Sequence, residues 1–131
     1  MSNILSIAVS GLNDAVTRIA NATSNIVNAS STSRLPGSGG AYTGFMPQDV
    51  VSVSNPNGGV SQTLQPRNPA YVTAPDPSSP FANADGAVAT PNVDLNAELI
   101  SSKEAQVSYS ADAKLIKITE EMDKSLLDAV S

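Results

Sequence analysis

The chain has 131 residues, a formal net charge of −5, 40% hydrophobic and 4% aromatic residues, and neither cysteine nor histidine. These numbers exclude disulfides, thiolate chemistry, histidine general-base catalysis and Cys/His metal centres. The acidic balance, with no basic patch, excludes nucleic acid as an electrostatic partner.

All nine prolines lie between Pro36 and Pro91, and seven of the eight glycines lie between Gly37 and Gly86. Proline lacks a backbone N–H and clashes with the preceding turn, so residues 1–35 and 92–131 are free to be uninterrupted helix. The apolar inventory is mostly Ala, Val, Leu and Ile. It suits thin helix–helix seams better than a thick globular core, and self-association is the natural way to bury what remains.

The first segment carries a helical stripe of Ile4, Ala8, Leu12, Ala15, Ile19, Ala22, Ile26 and Ala29, in steps of three and four close to a coiled-coil heptad. Leu5, Val9, Val16 and Val27 widen it, so the helix is expected to touch more than one neighbour. Asp14 and Arg18 form an i,i+4 pair. The polar face is Ser, Thr and Asn with almost no charge, which predicts burial against polar partners; the competing reading is a weakly helical tail. No Lys or Arg precedes Arg18, so a secretory n-region is missing and export is expected without a cleaved signal peptide.

Helix signals end near 30–33, and Pro36-Gly37-Ser38-Gly39-Gly40 reads as a loop. Val51 and Val53 then alternate with serines over 49–54. Val60, Gln62 and Leu64 share one face over 60–65, and Asn55-Pro56-Asn57-Gly58-Gly59 lies between. Two alternating runs about an Asn/Gly turn predict a β-hairpin. Residues 66–91 are extended and proline-rich; composition leaves open whether they wrap another surface or stay disordered.

The last helix starts at Asn92 or Asp94, either an acceptable N-cap, with Asp94 and Glu98 near the positive end of its dipole. One stripe runs Leu95, Leu99, Ser102, Gln106, Tyr109, Ala113, Ile116, and a second runs Val107, Ala111, Leu115, Ile118, Met122, Leu126, Ala129. At 1.5 Å per residue this helix is about 55 Å long. The i,i+4 pairs Lys117–Glu121, Glu120–Lys124 and Lys124–Asp128 put one side in solvent. A long helix with two stripes belongs to a bundle or a polymer.

No nucleophile elbow, Ser-x-x-Lys dyad, Walker loop or dinucleotide turn is present, and Asp76, Asp85 and Asp94 lack EF-hand spacing. The expectation is no enzyme, no catalytic residue, no cofactor, no metal and no small-molecule substrate. The apolar stretches are too short to cross a bilayer, so no membrane insertion is expected.

Ser10-Gly11-Leu12, Arg18-Ile19-Ala20-Asn21 and Ser24-Asn25-Ile26-Val27-Asn28-Ala29 resemble the N-terminal signature of bacterial flagellar rod and hook proteins. Tyr71-Val72, Asp76-Pro77, Ala84-Asp85-Gly86 and Pro91-Asn92-Val93, leading into the long helix, resemble more specifically the C-type proximal rod proteins. Arg34-Leu35-Pro36-Gly37 departs from the usual run after the first helix.

The resemblance implies a subunit that passes through the flagellar type III export apparatus and polymerises in the periplasm as part of the basal-body drive shaft. Its partners would be itself and other rod proteins. It implies a mainly α fold, with terminal helices pairing as a coiled coil around a small central β-hairpin and a proline-rich extended segment. The division is 1–33, 34–91 and 92–131, with the outer pieces forming the rod core as one discontinuous domain. The expected assembly interface is Ile4, Ala8, Gly11, Leu12, Ala15, Ile19, Asn21, Ala22, Asn25, Ile26 and Asn28 on the first helix. On the last it is Leu95, Leu99, Gln106, Tyr109, Ala113, Ile116, Ile118, Met122 and Leu126. A different class of reading is a non-polymerising helical binding module whose termini fold on a protein partner.

Overall fold

In a computed structural model, residues 2–37 and 41–130 are described; the expected loop at Ser38-Gly39-Gly40 lies outside them. The proline-free ends are helices: α1 (Ser2–Asn28) and α2 (Leu95–Val130). Between them come β1 (Gln48–Ser54), β2 (Val60–Pro66), β3 (Tyr71–Pro75) and β4 (Ala87–Pro91). The α2 start is fixed by Asp94, whose Oδ1 accepts from the N–H groups of Asn96 (2.9 Å) and Ala97 (3.2 Å). That satisfies two donors the first turn would otherwise orphan.

The expected hairpin forms, with β1 and β2 antiparallel in the register Gln48↔Pro66 to Ser54↔Val60. Its turn uses Gly58 and Gly59 at φ +89° and +81°, the left-handed region that favours glycine. Within the proline-rich stretch, which the sequence leaves open between wrapping and disorder, β3 and β4 pair antiparallel from Tyr71↔Pro91 to Pro75↔Ala87. Prolines tolerate this because Pro66, Pro75 and Pro91 stand at strand ends, where a missing N–H removes little from the ladder. Ser33, just beyond α1, pairs with Ala89 through two 2.9 Å backbone bonds, so β4 is held on both edges. Val88 and Ala89 are consequently buried, and Tyr42 stacks on Tyr71 with centroids 4.5 Å apart.

The helices pack side by side in opposite directions: Asn25 reaches Glu98 near one end, and Gly11 lies under Asp112 towards the other. Along α1 the fully buried residues Ala8, Ala15 and Ala22 recur every seventh position. Along α2 the matching series is Glu98, Ala105 and Thr119, all buried, with half-buried Asp112 completing it. Alanine at 8, 15, 22 and 105 and glycine at 11 let the two helices approach closely. A Cβ added to Gly11 would run into the Asp112 carboxylate.

This seam departs from the stripes read in the sequence. Of the α1 stripe only Ala8, Ala15 and Ala22 are buried; Ile4 faces out, and Leu12, Ile19, Ile26 and Ala29 are half-buried. On α2 neither stripe enters the seam, and only Ser102 and Ile116 are even half-buried. The separation of packed helices depends on the side chains between them, so an alanine seam excludes the branched residues that dominate a hydropathy pattern.

Overpacking this seam should therefore be costly where trimming the outside is not. Ala105→Leu is expected to lower stability by about 1–3 kcal/mol, and Val107→Ala by less than about 0.5 kcal/mol. Urea unfolding followed by far-UV circular dichroism measures both, and equal effects would contradict the alanine seam.

Candidate assembly surface

Where α1 ends and α2 begins, one polar cluster joins both helices to the middle of the chain. Asn25, 1% exposed, donates through Nδ2 to the Gln48 carbonyl (2.9 Å) and to Glu98 Oε1 (3.0 Å). Its Oδ1 accepts from the Gln48 N–H at 3.2 Å, and Asn21 Nδ2 donates to the same Gln48 carbonyl at 2.7 Å. Buried Glu98, 5% exposed, also receives Arg67 Nη2 at 2.9 Å. Arg67 further donates through Nε to Asp49 Oδ1 (3.1 Å) and through Nη1 to the Asn92 carbonyl (2.9 Å). A planar guanidinium with five donors can make such a three-way contact, where a lysine ammonium would act as a point charge.

The bonds to Asp49, and then to Glu98, hold the Arg67 guanidinium far above its ordinary pKa, against partial burial that acts the other way. A raised pKa stabilises the fold fully below the unfolded value and loses that contribution only as pH climbs through the folded one. For arginine that window lies far above neutral pH, so the clasp stays charged throughout the neutral range.

From this cluster the β1–β2 hairpin runs back along α1. Gln48 is tied at Asn21 and Asn25, Ser52 donates to Asp14, and the Val60 N–H bonds Ser10 Oγ at 3.1 Å beside the turn. The lengths agree: seven strand residues reach about 23 Å, and α1 from Asn25 to Ser10 covers about 22 Å. At the tip, a Cβ on Gly59 would meet Ser10 Oγ at 2.5 Å.

The outer faces of both helices hold most of the large apolar side chains. Leu99, Ile118, Met122 and Leu126 are each more than half exposed, as is Val16 on α1. The polar groups of the α1 face are largely self-satisfied. Ser6, Ser10, Thr17 and Thr23 donate to carbonyls three or four residues earlier, at 2.7–2.9 Å. A face built this way carries little charge and few free donors, so covering it strands few polar groups.

The expected interface residues divide into two sets. Ala8, Ala15, Ala22 and Asn25 are buried inside the chain, and Gly11 is covered by Asp112. Leu12, Ile19, Asn21, Ile26, Asn28 and Ile116 are half-buried. Ile4, Leu95, Leu99, Gln106, Tyr109, Ala113, Ile118, Met122 and Leu126 remain exposed. The sequence reading missed Arg67, Gln48 and Asp49 as a cluster and took Glu98 only for a dipole residue. Arg67, one of only five charged residues in 34–91, was the available signal. Among the described residues no group of His, Cys, Asp or Glu could hold a metal ion, and no helix is long and apolar enough to cross a membrane.

Residues 84–129 match the family described as flagellar basal body rod FlgEFG protein C-terminal. Over 124 residues the chain is 32% identical to the flagellar basal-body rod protein FlgC of Agrobacterium fabrum. That alignment covers 93% of this chain and 89% of the relative.

The clasp generates an asymmetric mutational pattern. Arg67→Ala leaves Glu98 buried without its cation and is expected to cost about 3 kcal/mol or more. Asp49 has a side chain 51% exposed. Asp49→Asn should therefore cost less than about 1 kcal/mol. Thermal unfolding of the two variants distinguishes them, and equal losses would remove Glu98 from the account.

Proposed function

This chain belongs to the flagellar basal-body rod protein family, and we propose that it is a structural subunit of the proximal rod that polymerises through its terminal helices. The observation that carries this reading is surface. A folded monomer of 13.4 kDa is expected to expose about 6,500 Å², and this chain exposes 8494 Å². The excess is of the order of a large protein–protein interface, about 2,000 Å². Much of it belongs to apolar helix faces of the kind that neighbouring subunits cover.

In this reading the subunit reaches the periplasm through the flagellar export apparatus, and α1 and α2 wind about each other as a coiled coil in the inner wall of the rod. Residues 1–33 and 92–131 form the rod core. The exposed part of the expected interface meets other copies and other rod proteins, while the alanine seam holds each subunit together. The role is mechanical: a packed tube of helices transmits torque through many covered contacts, with no catalysis.

Removal of residues 1–30 deletes α1 together with the docking track of the hairpin. It is expected to abolish incorporation into basal bodies, scored in purified basal bodies by immunoblot. Normal rods containing the truncated protein would overturn the reading. For the purified full chain, sedimentation is expected to show assembly rising with concentration; a monomer at every concentration would favour a non-polymerising binding module.

A further inference from the structure

We propose that the groove between α1 and the β1–β2 hairpin receives the last turns of α2 from a second copy of the chain. This rests on the self-assembly reading above and adds to it a receptor, an insert and a polarity.

The groove encloses about 540 Å³, with Val16 and Ala20 of α1 on one wall, and Leu64 of β2 together with Phe45 and Met46 just before β1 on the other. Val16, Met46 and Leu64 are exposed there. Asn21, Asn25 and Gln48 line it too, but they are bonded to one another, so an apolar insert strands none of those bonds.

The insert is the face of α2 made by Leu115, Ile118, Met122 and Leu126. These residues are 40–55% exposed and spaced three, four and four apart. With 36 residues against 27, α2 outruns α1 by about 14 Å. Beyond Thr119, Asp123 alone among the described residues is not exposed.

Insert and groove cannot meet within one chain. The helices are antiparallel, so the free end of α2 lies beyond the start of α1, while Val16 is about 21 Å further along α1 from Ser2. A straight helix does not fold back over that distance. Each copy therefore offers an insert at one end and a receptor nearer the other, which is the heterologous arrangement that builds open chains. The face from Leu115 to Leu126 spans about 16 Å and the α1 wall from Val16 to Ser24 about 12 Å, so the groove covers most of the insert. The end of α2 is acidic, with Glu120, Glu121, Asp123 and Asp128 against Lys124, and no residue lining the groove is charged. The insert thus meets no like charge. The surplus surface noted above is sufficient for a stable contact of this kind.

The chain has no cysteine, so engineered thiols report on this contact without background. Leu64→Cys and Leu126→Cys variants, mixed and mildly oxidised, are expected to give a disulfide dimer in excess of either variant alone. The double variant should give a ladder of multimers. Leu126→Asp should keep its helix content and weaken self-association at least about ten-fold, a loss of about 1.4 kcal/mol. Assembly without a 64–126 bridge, or a double variant that closes on itself as a monomer, would overturn the groove while leaving polymerisation intact. Absence of any self-association would overturn the polymer reading and the groove with it.

Discussion

The close approach of two antiparallel helices across alanine is the constraint from which the rest follows. Ala8, Ala15 and Ala22 lie in the same seam as a series of equal spacing on α2, and the large aliphatic side chains of both helices lie outside the fully buried set. The subunit therefore holds itself together with its smallest residues and keeps its large apolar ones outside. That is the reverse of an ordinary small domain, in which the largest side chains form the core. Burial of methyl groups alone gives modest stabilisation, so the fold leans on specific polar contacts to set the helix register.

Those contacts concentrate at one end. Arg67, Glu98, Asn25 and Gln48 lock the close of α1, the opening of α2 and the base of the hairpin into one cluster. Glu98 also lies in the first turn of α2, where the helix dipole favours a carboxylate. From there the hairpin is laid along α1 by successive polar tethers, ending with Ser10 at the glycine turn. The middle of the chain is thus an outer layer on α1 as well as a connection between helices. It forms one wall of the apolar groove that α1 could not make alone.

How much of this was legible in the sequence depends on the range of the cause. The hairpin was readable because its signals are local: alternating valines and an Asn/Gly turn. The α2 cap was readable because Asp94 bonds amides two and three residues away. The β3–β4 pair was not, because prolines argue against strands locally and Ser33 arrives to pair with Ala89 from 56 positions earlier. The clasp was hidden for the same reason, since its members are separated by as many as 73 residues.

Helix extents and hairpin position came from the order of residues alone, because proline exclusion and periodicity act over a few residues. The kinship of the chain with rod proteins was also legible there, in its Ser10-Gly11-Leu12 and Asn25 to Asn28 motifs. Which face of each helix turns inward was settled by folding in three dimensions. Each helix carries more apolar residues than one stripe holds, and hydrophobicity ranks the large residues first. Close packing ranks them by fit, and with Gly11 beneath Asp112 and alanine every seventh residue, fit selected the small ones.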